Sequence, residues 1–188
     1  MLLDLFIPAC WTIWLLIWLF ASFGVKKTVR QEDPLSRLGN TGPIWVGAFL
    51  LAAQPSWLGP LHIRVIPHDL ATFYIGAVLT LIGLVFAVWA RFHLGRNWSG
   101  VITLKEDHAL IRTGPYALVR HPIYTGLILA IVGSAIARGD IAAALAIVAV
   151  LYAILRRVQI EESWMSETFG PDYADYKAST PALIPFLV

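Results

Sequence analysis

Residues 122–155 read PIYTGLILAIVGSAIARGDIAAALAIVAVLYAIL. Two apolar runs, Pro122–Ala137 and Ile141–Leu155, are 16 and 15 residues long and are joined only by Arg138-Gly139-Asp140. So short a turn forces the two helices to run antiparallel and adjacent. Gly126, Ala130, Gly133 and Ala137 recur at helical spacing on the first run, and Ala142, Ala146, Ala149 and Ala153 repeat it on the second. Small residues on one face let helix backbones approach closely in lipid, where packing drives association. The expectation is a tight hairpin whose two small-residue stripes face each other.

The rest of the chain has the same character. Of its 188 residues 58% are hydrophobic and 14% charged, with a mean hydropathy of +0.70. This is too apolar for a soluble globule, and the length suits one domain, 1–188. Charge-poor runs mark three more spans: Leu5–Val25, one within Leu38–Ile63 centred on Pro43–Leu58, and Leu70–Ala90. No basic segment precedes the first run, only Asp4, so it reads as a retained span and not a cleaved signal. The lone Cys10 excludes an intrachain disulfide and a cysteine zinc site. The fold class expected is an all-α integral membrane protein with five transmembrane helices. A 15-residue helix reaches only about 22 Å against a hydrocarbon core of roughly 30 Å, so the last two should continue as helix beyond it.

The basic residues give the orientation. Lys26, Lys27, Arg30, Arg37, Arg91, Arg96, Lys105, Arg112, Arg120, Arg156, Arg157 and Lys177 fall on one side, and only Arg64 and Arg138 on the other. The positive-inside rule puts the N-terminus outside, with the loop 92–121 and the tail 156–188 in the cytosol.

The hairpin also sets levels. His121 lies 18 residues before Gly139 and Arg157 lies 18 after it, with Tyr124 close by and Glu161 about one turn further out. His121, Tyr124, Arg157 and Glu161 should therefore meet at the cytosolic mouth. Pro122 suits the first helical position, where its missing N–H costs nothing. The amides of Ile123, Tyr124 and Thr125 then point out with the positive end of the helix dipole, ready for a carboxylate or phosphate. Tyr116 and Tyr124 offer faces to a cation and Glu161 an acceptor. A ligand with a carboxylate, a ribose and a positive centre finds a partner for each group. The plainer reading is an interfacial helix start with Tyr124 in the aromatic belt.

The run Gly114-Pro-Tyr116, Arg120-His-Pro-Ile-Tyr124, Gly126, followed by Glu161-Glu162, Met165, Phe169-Gly170, Tyr173, Tyr176 and Pro185-Phe186, resembles the isoprenylcysteine carboxyl methyltransferase family. The resemblance covers roughly Arg91 to the C-terminus, and the earlier spans match only as hydrophobic segments. It implies a membrane enzyme using S-adenosylmethionine. His108, Leu110, Ile111, Tyr116, His121, Pro122, Ile123 and Tyr124 would line the cofactor pocket, Glu161 would bind the cofactor's polar end, and Arg157 would meet the acceptor's carboxylate. Arg120 joins Arg157 as a catalytic candidate. No Gly-x-Gly occurs, so a Rossmann-type site is unsupported.

The remaining polar residues carry less weight. Glu162 projects about 100° from Glu161 and reads as a solvated charge. Arg156 reads as a snorkelling residue, and His62 and His68 as surface residues. His93, His108 and His121 lack ligand spacing, so no metal is expected. The function expected is methyl transfer to a lipophilic acceptor entering from the bilayer, a carboxylate first among the choices. The partners are that acceptor and membrane lipids, with no nucleic acid. Two alternatives remain. One is a nicotinamide-dependent reductase, since sterol reductases carry a similar His-Pro-x-Tyr block, though with Asn where this chain has Ile123. The other is a non-catalytic binding subunit.

Overall fold

A computed structural model describes residues 2–23, 28–98, 103–105 and 109–185. His108 lies outside them. Among the described residues seven α-helices follow one another: α1 (Leu2–Ala21), α2 (Pro34–Ala52), α3 (Pro55–Leu58), α4 (Leu70–Leu94), α5 (Pro122–Arg138), α6 (Ile141–Phe169) and α7 (Pro171–Ser179). Among the described residues this all-helical architecture is joined by a short antiparallel ribbon of β1 (Thr28–Gln31) with β2 (Thr103–Lys105). The segments Leu70–Asn97 and Ile141–Phe169 are long and apolar enough to cross a membrane, and Leu5–Ala21 and Pro122–Arg138 are shorter apolar helices. Large apolar side chains such as Leu16, Phe20, Ile75, Val85 and Val148 stand exposed on their outer faces.

The second helix begins earlier than the expected Pro43–Leu58. Asp33 caps it by accepting from the amides of Leu35 and Ser36, and Pro34 takes the first helical position. Pro43 sits inside this helix, forfeiting one backbone hydrogen bond. Pro55 starts a separate turn.

The small-residue stripes do not face each other. On α5, Gly126 and Gly133 lie against α4, where a Cβ added to either would come 2.5 Å from the Gly83 carbonyl oxygen or the Thr80 nitrogen. Gly76 and Gly83 of α4 meet α5 equally closely. The alanine stripe of α6 turns toward α2, since a Cβ on Gly47 would lie 3.1 Å from the Ala146 carbonyl oxygen. What α5 and α6 present to each other is bulkier: Tyr124, Ile128 and Ile131 pack on Val150, Ile154 and Val158. The reason is angular. Two residues along a helix turn about 200°, so a 124/128/131 face points away from a 126/130/133 face. The hairpin thus uses its narrow sides to recruit α4 and α2.

The ends of the bundle are distinct. At one end the β1–β2 ribbon joins the α1–α2 and α4–α5 connections, and Arg91 of α4 donates to the Ala21 carbonyl at the close of α1. At the other end Val65 and Ile66 donate to the Gly139 carbonyl. Asp140 caps α6 there, and its carboxylate also meets Arg138 and His62. His62 thus keeps an exposed side chain, 40% accessible, with its Nδ1 3.1 Å from the Asp140 carboxylate.

Candidate active site at the mouth of the α5–α6 hairpin

The cluster forms where α5 begins and α6 runs past it. Tyr124 donates its hydroxyl proton to Glu161 Oε1 and accepts from Arg157 Nε at 3.1 Å. The Arg157 guanidinium also lies 5.8 Å from the centroid of the Tyr124 ring. His121 stacks on Tyr124 with ring centroids 5.8 Å apart. Its Nδ1 lies 3.5 Å from Glu161 and its Nε2 lies 3.2 Å from Glu162. A neutral imidazole can donate from only one nitrogen, whereas an imidazolium donates from both. Burial pushes the His121 pKa down, but the two flanking carboxylates outweigh it and hold it above the ordinary histidine value. His121, Tyr124, Arg157 and Glu161 are thus brought together.

Glu162 corrects the sequence reading. Its side chain is 12% exposed and is shared by Arg120, His121 and Lys177, at 2.6, 3.2 and 3.0 Å. The signal was available, because Arg120 stands one residue before His121 and so falls beside the α6 residue following Glu161. Arg120 is also drawn into the tail, donating to the carbonyls of Lys177 and Thr180. Its guanidinium braces structure on several sides.

The segment after α7 closes the mouth. The amide of Arg120 donates to the Pro181 carbonyl at 2.8 Å and that of His121 to the Ala182 carbonyl at 3.0 Å, while Thr125 Oγ1 donates to Leu183 at 2.6 Å. The Tyr176 hydroxyl donates to the Tyr116 carbonyl, and Arg112 lies 5.5 Å from the centroid of the Tyr176 ring. Tyr116 itself is buried in the 3-10 turn Gly114–Ala117, with its ring over His93. Burial pushes its phenol pKa up. Leu110 and Ile111 are partly buried in the extended segment leading to that turn, and the hydrogen-bonded cluster is built without them.

The helix start offers less than expected. His121 is the N-cap and supplies no side-chain cap, and Pro122 has no N–H. The Thr125 amide donates to the His121 carbonyl at 3.0 Å, so it is already used. The amides of Ile123 and Tyr124 have no preceding helical carbonyl to meet. A carboxylate-bearing, cationic ligand fits this donor set: two amides for its anionic end, and the Tyr124 ring with Glu161 for its positive centre.

One polar pair lies outside every expectation. Glu32 and Asn40, at the start of α2, are 8% and 0% exposed, and Asn40 Nδ2 donates to Glu32 Oε2 at 2.6 Å. Nothing in the periodicity marks them.

A family model described as phospholipid methyltransferase matches residues 71–172. A probable protein-S-isoprenylcysteine O-methyltransferase of Oryza sativa subsp. indica is 31% identical over 117 residues, 61% of this chain and 61% of the relative. The protein-S-isoprenylcysteine O-methyltransferase of Saccharomyces cerevisiae is 27% identical over 146 residues, covering 74% of this chain. The chain spans 61% of the length of each of these relatives. Among solved structures, a eukaryotic intramembrane Ras methyltransferase, isoprenylcysteine carboxyl methyltransferase, has the same fold. Its TM-score is 0.56 at 24% identity, over 84% of this chain and 55% of that one. Because the family model runs across more than half of the sequence, taking in α4, the hairpin and both glutamates, the chain belongs to the phospholipid methyltransferase family and counts isoprenylcysteine O-methyltransferases among its relatives.

Proposed function

We propose that this chain is a multi-pass membrane methyltransferase that moves a methyl group from S-adenosylmethionine to a lipophilic acceptor, a carboxylate foremost. The observation that carries the reading is the half-buried His121–Tyr124–Arg157–Glu161 cluster at the hairpin mouth, in a chain of this family. When bound, the cofactor supplies an electrophilic methyl on a sulfonium centre. The amides of Ile123 and Tyr124 would hold its carboxylate, with Pro122 fixing the turn that aims them, and Tyr116, Leu110 and Ile111 would line the pocket. Glu161, held by Tyr124 and His121, faces the positive end. Arg157 positions the acceptor oxygen for in-line displacement, and orientation alone supplies about 7–11 kcal/mol of such a barrier. A carboxylate acceptor needs no general base. Arg120 serves as a positioning residue through Glu162.

The membrane placement belongs to the same proposal. Helices α1, α2, α4, α5 and α6 are the five spans, with the N-terminus outside and the segments 92–121 and 156–188 in the cytosol. The ribbon at one end and the Gly139 contacts at the other support this alternation, as does the basic bias of the ribbon's end.

S-adenosylhomocysteine should raise the melting temperature of the detergent-purified protein, and NADPH should leave it unchanged. Stabilisation by NADPH alone would replace this reading with a reductase. Labelled cofactor incubated with a total lipid extract would then identify the acceptor.

A further inference from the structure

The last turn of α4 carries an imidazole outside the hairpin cluster, and three residues of the segment before α5 rest on it. His93 Nε2 is hydrogen-bonded to Thr113 Oγ1 at 2.9 Å. A Cβ added to Gly114 would lie 2.6 Å from His93 Cε1 and 2.9 Å from both ring nitrogens, so the ring fills the space that any other residue would need for its side chain. The Gly114 φ of 60° also lies in the left-handed region, which glycine enters at no steric cost. The Tyr116 ring stacks on the same imidazole, with centroids 6.2 Å apart and planes 24° apart.

Tyr116 is gripped from both of its ends. Its hydroxyl lies 3.5 Å from the carbonyl oxygen of Ala90, three residues before His93 and so on the same face of α4. Its own carbonyl accepts from the Tyr176 hydroxyl of α7. The turn Gly114–Ala117 is thus clamped between α4 and α7, and His93 is the α4 jaw of that clamp. Tyr116 is buried, whereas His93 is exposed. An exposed imidazole removes little apolar surface from water and adds little to the cohesion of the bundle. What it supplies is direction, because its plane sets the plane of the Tyr116 ring and its hydrogen bond fixes the entry to the turn.

We infer that His93 is a positioning residue for the cofactor pocket. It touches no reacting atom and acts through Tyr116, whose ring it holds at the angle at which that ring lines the pocket. The inference rests on the function proposed above and adds the end of α4 to the elements that shape the site.

Calorimetric titration of the detergent-purified full chain with S-adenosylhomocysteine tests it. His93→Ala binds about tenfold more weakly than the wild type, from the loss of one ring contact and one hydrogen bond, with its melting temperature unchanged. His93→Phe keeps a ring of similar shape without the hydrogen bond and recovers to within about threefold of the wild type, and Thr113→Val, which removes only that hydrogen bond, matches it. Recovery by shape separates positioning from a general loss of structure. Wild-type affinity in His93→Ala, no recovery in His93→Phe, or a melting temperature that falls in step with affinity overturns the inference. Should His93→Ala yield no folded protein, Thr113→Val decides alone, and undiminished affinity there overturns it. S-adenosylhomocysteine binding that His93→Ala leaves equal sinks the inference and keeps the proposed function, whereas no binding to the wild type sinks the proposed function and takes the inference with it.

Discussion

Tyr124 is the pivot of the cluster, because one hydroxyl donates to Glu161 and accepts from Arg157. The two sides of that pivot should separate by mutation. Arg157→Ala should weaken a carboxylate acceptor by about ten- to a hundredfold, the range of a charge-assisted hydrogen bond, while S-adenosylhomocysteine affinity changes little. Arg157→Lys should rescue poorly, since an ammonium cannot hold both carboxylate oxygens as a guanidinium does. Glu161→Ala should instead lose the cofactor product first. Calorimetry with both ligands on these variants resolves the roles, and unimpaired acceptor methylation in Arg157→Ala would point to an amine or phenol. His121 adds a pH signature. Its folded pKa is raised above the unfolded value of about 6.5. The stability it contributes is fully present below that value and is lost as pH rises through the higher folded pKa. Thermal melts across that window should fall with rising pH in the wild type, and His121→Gln should flatten the slope. Four members of this site were legible because hairpin counting needs only the turn and the rise per residue. Glu32 and Asn40 were not, since they pair with each other across the start of α2 and no local period announces their burial.

The helices themselves were largely readable, but their facing was not. Periodicity finds a small-residue stripe and says nothing of which helix fills it, so Gly126 and Gly133 could be paired with α6 on paper while lying on α4 in fact. The consequence is measurable. Gly133→Ala puts a Cβ 2.5 Å from the Thr80 nitrogen and 2.6 Å from the Gly76 carbonyl oxygen, both rigid backbone. Forcing α4 and α5 apart should cost at least the roughly 1–3 kcal/mol of ordinary overpacking and lower the melting temperature. Gly42→Ala has nothing within 4 Å of the new Cβ, so it should be neutral or stabilising by up to about 1 kcal/mol. Equal melting temperatures for the two variants would contradict the close approach of α4 and α5.

At the scale of the whole molecule, ends matter more than elements. The basic bias named one end from sequence, and the ribbon and the Gly139 contacts independently sort the connections into the same two groups. Under the proposed topology, a cysteine replacing His68 in a Cys10→Ser background should react with an impermeant maleimide added outside intact cells, and one replacing Lys177 should react only after permeabilisation. The reverse pattern would invert the membrane placement without changing the fold. The tail contacts set a further limit, on timing. Arg120, His121 and Thr125 each lean on carbonyls of residues 181–183, which leave the ribosome after every long helix has been made. The mouth therefore stays open throughout synthesis, and a nascent chain halted before residue 181 holds its long helices but an unfinished mouth.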